Sequence, residues 1–352
     1  MKALMFITGR GIGGDAGIAY NILKSLEEKY NMTSKVVLDN SAQGLLFKKH
    51  DMNWLTTPIP AAGGHAASKT KLAKAGISTI TAGIKAANLI RKENPDIVIG
   101  VIGGGAVIGC VGAKLAHKPS IGIVSTPTDT KVCSKITEII MLPEATQFTD
   151  TPNNSTKNKV HRAYIPINTR IINGDEKIAK EKMPSNYDPT KPTILFTSGS
   201  TLFDKMAQSV RIYAETNPET NIIVIGYPLN KQCEEYIDHP NIINLGYVDW
   251  INDLYKIVDL TVTTDDGLTL HELISCKIPV VIVIGVKYGR YHNLSSVFKG
   301  AMLETKVENI TKTINEALEN IETIKLNVGK YSKEVLDSPD KIGKIIINKT
   351  KK

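Results

Sequence analysis

Short apolar runs alternate with helical patterns along most of the chain. Residues 3–8 predict a strand that runs into a glycine-rich loop, followed by a helix over 16–30 and a strand over 34–38. A helix is expected at 77–91, a strand at 97–101, a helix at 109–116 and a strand at 120–124. Unbroken apolar strands between amphipathic helices imply parallel sheets covered on both faces. The pattern loosens over 144–160 and 173–192, where Asn, Asp, Lys, Thr and Pro mark loops and an interdomain linker. It resumes with strands at 193–198, 221–226, 242–245, 260–263 and 280–284, and with helices at 205–216 and 269–275. The tail from Val307 is helical in pattern and ends in a basic stretch, 349–352.

The chain therefore reads as two α/β halves, each opening with a strand and a glycine turn. Its 352 residues suit two domains. The expected division is 1–166, a linker over 167–192, and 193–352, with the last helix free to pack back on the first domain. Two doubly wound domains facing one another form a cleft at the carboxyl ends of their strands, where such folds bind ligands.

Composition and charge narrow this picture. With 42% hydrophobic and 22% charged residues, the chain is globular rather than disordered. The four cysteines are scattered without metal-ligand spacing, as free thiols in a reducing compartment would be. The most apolar run, 97–113, is broken by six glycines, so a strand, a turn and a buried helix explain it better than a membrane span. The start has only Lys2 as a basic region and no small-residue cleavage site, so no signal peptide is expected. A net charge of +8 admits nucleic acid, an anionic membrane or a phosphorylated ligand as partner.

Three loops carry candidate chemistry. The first, 8–17, contains Gly11, Gly13 and Gly14, with Arg10 and Asp15 inside it. Asp39 stands near the place where a dinucleotide fingerprint wants an acid. A turn that only lets a helix pack closely is the plain alternative. The second is Ser198-Gly199-Ser200-Thr201, between a strand and a helix, where backbone N–H groups would favour an anion. The third runs from Leu260 through Thr264-Asp265-Asp266-Gly267-Leu268-Thr269 to Glu272. Here Thr269 and Glu272 are either a capping box, or a helix head facing a diphosphate with a carboxylate that takes two ribose hydroxyls at once.

This third segment resembles the donor-sugar signature of glycosyltransferase family 28, which includes the N-acetylglucosaminyltransferase of the lipid-linked peptidoglycan precursor. Gly11, Gly13, Gly14 and Asp15 stand where the family has its first glycine loop. Gly199 and Ser200 stand at its second, and Thr269 and Glu272 at its Thr-x-x-Glu helix. Tyr291 and His292 stand at its following polar pair. Tyr247 and Val248 match the segment whose backbone reads uracil, and Gly104 and Gly105 match a further glycine stretch. Departures fall on the acceptor side: Asp15 replaces the loop histidine, and Ser125-Thr126-Pro127 replaces His-Glu-Gln.

The resemblance implies a GT-B fold, an N-terminal acceptor domain, a C-terminal nucleotide-sugar domain, and no cofactor or metal. It implies an inverting transfer from a UDP-sugar, with N-acetylglucosamine expected, to a polyprenyl-diphosphate-linked acceptor in cell-wall or glycan synthesis. Asp15 is the candidate base. Gly199, Ser200, Thr201, Gly267, Leu268 and Thr269 would hold the diphosphate, and His292 would donate to the sugar or a phosphate. Asp265 and Asp266 are expected to point away from that anion.

From Met52 to Lys92 there is no Asp or Glu, yet Lys69, Lys71, Lys74, Lys85, Arg91 and Lys92 occur there, with Trp54, Leu55, Leu72 and Ile77 among them. This suits a peripheral face on an anionic membrane at the inner side of the cell membrane, or an ordinary solvated basic face. Nucleic acid fits less well, because no reading motif accompanies the charge. Two other readings stay open. One is a UDP-N-acetylglucosamine 2-epimerase, whose Thr-Asp-Ser-Gly-Gly signature Thr264-Asp265-Asp266-Gly267 resembles. The other is a non-catalytic sugar-nucleotide-binding subunit.

Overall fold

The computed structural model describes the chain except Arg10, Ile12, 61–68, 146–147, 151–158, 288–291, Lys352 and the side chains of 69–77. It forms two compact units, 1–166 with 337–352, and 167–336.

The first unit opens with β1 (Lys2–Ile7), α1 (Gly14–Tyr30), β2 (Thr33–Leu38), α2 (Leu45–Lys49), β3 (Trp54–Thr56) and α3 (Lys69–Glu93). It continues with β4 (Ile97–Val101), α4 (Gly103–Ala116), β5 (Ser120–Val124), α5 (Pro127–Cys133), β6 (Glu138–Met141) and β7 (Val160–Arg162). Among the described residues the sheet order is β3-β2-β1-β4-β5-β6-β7, and neighbouring strands pair in parallel. Residues 3–7 and all of β4 and β5 are buried on both faces. Burial on both faces explains why these strands read as continuous apolar runs rather than alternating ones.

The 97–113 run divides as expected into β4 and α4, but the helix begins at Gly103 rather than 109. Glycine is a poor helix former, so packing must supply the reason. A Cβ on Gly105 would lie 2.4 Å from the Thr8 backbone nitrogen, and one on Gly112 would lie 2.8 Å from Ala86 Cβ. The glycines let α4 press on the sheet and on α3, and that contact outweighs intrinsic propensity. No helix among the described residues is long and apolar enough to cross a membrane.

The second unit contains α6 (Glu176–Lys182), β8 (Thr193–Leu202), α7 (Asp204–Ala214), β9 (Asn221–Pro228), α8 (Lys231–Ile237), β10 (Ile242–Gly246) and α9 (Ile251–Leu254). Then come β11 (Leu260–Thr264), α10 (Gly267–Ser275), β12 (Val280–Val283), α11 (Leu294–Val297), β13 (Met302–Thr305), α12 (Ile310–Glu319) and α13 (Ile321–Leu336). Its described sheet runs β10-β9-β8-β11-β12-β13. The 167–192 stretch, expected as a linker, carries α6 and belongs to this unit. It is pinned there by the bond from Asp175 N to Asp253 Oδ1 at 2.9 Å.

The last helix, α14 (Ser338–Thr350), belongs to the first unit. Ser25 Oγ donates to Pro339 O at 3.1 Å, and the Tyr30 hydroxyl donates to Asp340 Oδ1 at 2.9 Å.

Candidate functional site

In the second unit the polar residues gather at the carboxyl edge of the parallel sheet, where doubly wound folds bind ligands. The third loop forms the head of α10. Its N-cap is Asp266, and the helix starts at Gly267. Thr269 therefore lies inside the first turn, so Thr269 and Glu272 are not a capping box. Glu272 follows one turn on, half-buried. Burial raises its carboxyl to about 7, and its charge is felt by buried Tyr255 and by Cys276. Among the described residues nothing hydrogen-bonds to the Glu272 carboxylate, whereas His271 beside it bonds Gly267 O through Nδ1 at 3.1 Å. Burial lowers that histidine to about 4, so it stays neutral.

The two aspartates before α10 are both engaged. Asp265 is buried and accepts from the His292 backbone N–H at 2.8 Å. Its carboxyl is raised by burial against that bond. Asp266 accepts from Thr264 Oγ1 at 2.5 Å and pairs with Lys287 Nζ at 3.0 Å. Their two charges are thus tied to a backbone amide and to an ammonium. Lys287 carries no motif, and sequence reading passed over it. His292 is half-buried, held through its backbone, and Tyr291 lies outside the described residues.

Gly199, Ser200 and Thr201 depart from expectation. They are not at a helix head, because β8 continues to Leu202 and α7 starts only at Asp204, after its N-cap Phe203. The register against β9 shifts between Thr197 and Thr201, so the Gly-Ser pair forms a bulge. Thr197 Oγ1 accepts from Gly199 N at 3.1 Å, and Ser198 Oγ donates to Thr201 O at 2.8 Å. Gly199 sits at φ 92°, a region that favours glycine. The bulge lies within β8, just past the residues that pair with β11, so it shares the carboxyl edge with Gly267, Leu268 and Thr269. At the far side of that edge Tyr247, just past β10, stacks on Tyr227 at the end of β9, and Val248 is half-buried beside it.

In the first unit the loop after β1 and the head of α4 come together, since a Cβ on Gly103 would lie 3.3 Å from Thr8 Oγ1. Their glycines divide into two kinds. A Cβ on Gly11 would meet Gly44 Cα at 2.8 Å and one on Gly104 would meet Pro60 O at 2.4 Å, so these two and Gly105 are packing glycines. At the head of α1 a Cβ on Gly13 or Gly14 would meet no described residue within 4 Å, and Asp15 is half-exposed in its first turn. The head of α4 already has its acid. Buried Asp129 accepts from Gly103 N at 2.7 Å and closes a capping box with Thr126. Burial raises the Asp129 carboxyl against those bonds. Thr126 and Pro127 thus begin a helix at the place where the resembled family has acceptor residues.

Asp39, the acid a dinucleotide loop would need, is consumed by its own turn. It accepts from Ser41 Oγ at 2.6 Å and from Ile59 N at 2.8 Å. Burial opposes its charge, but these bonds prevail and its carboxyl is lowered.

The basic stretch is only partly as expected. Trp54 lies over Gly44, and Leu55 packs on the core. Lys69, Lys71, Leu72, Lys74 and Ile77 have side chains outside the described ones. What α3 and α4 present is Ile80 (65% exposed), Ile84 and Leu115, with Lys85, Arg91, Lys92 and Lys114 also exposed on these helices.

No family model matches the chain. It is similar to the processive diacylglycerol β-glucosyltransferases of Staphylococcus epidermidis strain RP62A and Staphylococcus carnosus. The identities are 27% and 28%, over 61% and 56% of this chain and 63% and 59% of those proteins. The chain thus spans about three fifths of the length of the curated relatives it matches. Among solved structures it resembles MurG of Acinetobacter baumannii (TM-score 0.68, 16% identity, 99% of both chains). It also resembles the UDP-GlcNAc 2-epimerase of Neisseria meningitidis bound to UDP-GlcNAc (0.64, 14%, 99% of both). A third is HepE of Anabaena in complex with UDP and glucose (0.65, 14%, 99% of this chain and 98% of that one). With two doubly wound parallel sheets flanked by helices, the chain has the GT-B fold.

Proposed function

We propose that the chain is an inverting glycosyltransferase that moves a sugar from a UDP-sugar to a lipid-linked acceptor at an anionic membrane face. The observation that carries this reading is Glu272, a half-buried carboxylate with no hydrogen-bonding partner among the described residues, one turn below the head of α10. A carboxylate left so costs free energy unless a ligand completes it. Two ribose hydroxyls one turn below a bound diphosphate would do so. Tyr247 and Val248 would meet the base, Gly267, Leu268 and Thr269 the diphosphate, and His292 the sugar. The Gly199–Thr201 bulge would border that site rather than cap it.

The resemblance favours N-acetylglucosamine and a polyprenyl-diphosphate acceptor. The relatives' names point instead to glucose and diacylglycerol. The exposed Ile80, Ile84 and Leu115 among lysines suit an acceptor presented by lipid. Asp15, half-exposed in the first turn of α1 next to Gly13 and Gly14, is the proposed base.

Calorimetry with UDP, UDP-glucose, UDP-N-acetylglucosamine and NAD tests the donor half, and micromolar binding of the UDP ligands alone is expected. Preference for NAD would overturn it. Turnover is then measured with each donor on vesicles carrying diacylglycerol or a polyprenyl diphosphate. Asp15→Asn should abolish transfer while UDP binding stays within twofold, and unchanged turnover would remove Asp15 as base. Sugar epimerised without any acceptor would favour the epimerase reading instead.

A further inference from the structure

We propose that Lys287 grips the diphosphate of the donor, and that Asp266 positions its ammonium and tempers that grip. This rests on the nucleotide-sugar reading of the site. Lys287 follows β12, and its Nζ lies 3.0 Å from Asp266 Oδ1, with both side chains about one quarter exposed. Asp266 is its hydrogen-bond partner among the described residues, which leaves ammonium donors for a ligand. The same Nζ is 3.8 Å from where a Cβ of Gly199 would stand, and among the described residues nothing else lies within 4 Å of that point. A Cβ on Gly267 would meet no described residue within 4 Å. The ammonium therefore lies between the β8 bulge and Asp266, the N-cap of α10, at the carboxyl ends of neighbouring strands.

A lysine on a flexible stem is a compact point charge suited to phosphate, and the amide groups of a helix head add donors and positive potential. The Asp266 carboxylate works against this. It holds the ammonium in place before a ligand arrives, and its charge opposes the incoming phosphates. Removing that charge should tighten diphosphate binding. Asn also serves well as an N-cap, so Asp266→Asn preserves the helix.

The test is calorimetry on the full chain with UDP and with uridine, which carries the same base and ribose without phosphate. Lys287→Ala should weaken UDP about tenfold or more while uridine changes less than about threefold. Lys287→Arg should recover part of the loss. Asp266→Asn should tighten UDP severalfold and leave uridine unchanged. If Lys287→Ala leaves UDP within twofold, or if uridine falls in parallel with UDP, the grip is not there. Weaker UDP binding in Asp266→Asn would overturn the role given to Asp266. If the unaltered chain bound neither ligand, the nucleotide reading itself would fall, and this proposal with it.

Discussion

Tyr227 and Tyr247 stack with ring centroids 5.8 Å apart and planes 7° apart, although the residues are 61% and 52% exposed. They hang from neighbouring strands, β9 and β10, just where these reach the carboxyl edge. A pair of parallel rings left in water offers a flat face on which a base can lie. Tyr247→Ala should weaken uridine by the ~1–3 kcal/mol that one stacked base is worth, and Tyr247→Phe should keep most of the affinity. Calorimetry with uridine checks both, and equal loss in Phe and Ala would implicate the hydroxyl rather than the ring.

Glu272 sets a pH dependence in two observables. Its carboxyl stands at about 7 in the folded chain against 4.5 as a free side chain. Folding thus takes up a proton between those values. The stability it contributes is whole below pH 4.5 and is lost as pH rises through 7. Because the residue is half-buried rather than sealed, the loss should be on the order of 1–2 kcal/mol. Glu272→Gln should remove most of that slope between pH 5 and 8 in urea melts. In the unaltered chain uridine should bind more tightly at pH 8 than at pH 6, because only the ionised carboxylate accepts two hydroxyls. Identical pH profiles for the two proteins would contradict this account.

The glycines of the first unit should separate fold from function. Gly105→Ala places a methyl 2.4 Å from the Thr8 nitrogen and 2.6 Å from the Ile7 carbonyl carbon. Such overpacking against backbone costs at least about 1–3 kcal/mol, and denaturant midpoints should show it. Gly14→Ala meets no described residue within 4 Å and should leave stability unchanged or slightly higher. If Gly14→Ala then lowers transfer, the head of α1 serves the reaction and not the fold.

The clasp of α14 on α1 should fail in acid. Asp340 is held down at about 2, first by its bond to Lys344, with Tyr30 and Lys29 adding to it against the cost of burial. Its contribution is whole above pH 3.8 and is lost as pH falls through 2. Asp340→Asn should cost about 1 kcal/mol at pH 7, read as a lower urea midpoint, and little at pH 2. A cost unchanged at pH 2 would place the effect outside the charge.

Much of the fold was legible along the chain. The strands β1, β4 and β5 are runs of apolar residues buried on both faces, and a run of that kind between helical patterns admits few structures other than a parallel sheet. The head of α10 was legible too, because an acid, a glycine and a polar turn between a buried strand and an amphipathic helix are local chemistry. What needed tertiary structure was every feature set by residues far apart in sequence. Gly199 and Ser200 looked like a turn into a helix, but pairing with β9 carries the strand past them and makes a bulge. Gly103, Gly104 and Gly105 looked like a loop, but close approach to Thr8 and Pro60 draws them into a helix. Lys287 had no motif around it, and only the adjacency of β12 and β11 brings its ammonium to Asp266. Local periodicity reports burial and the type of element. Which polar groups meet depends on strand order and register, and these are decided by contacts between segments that the linear pattern does not connect.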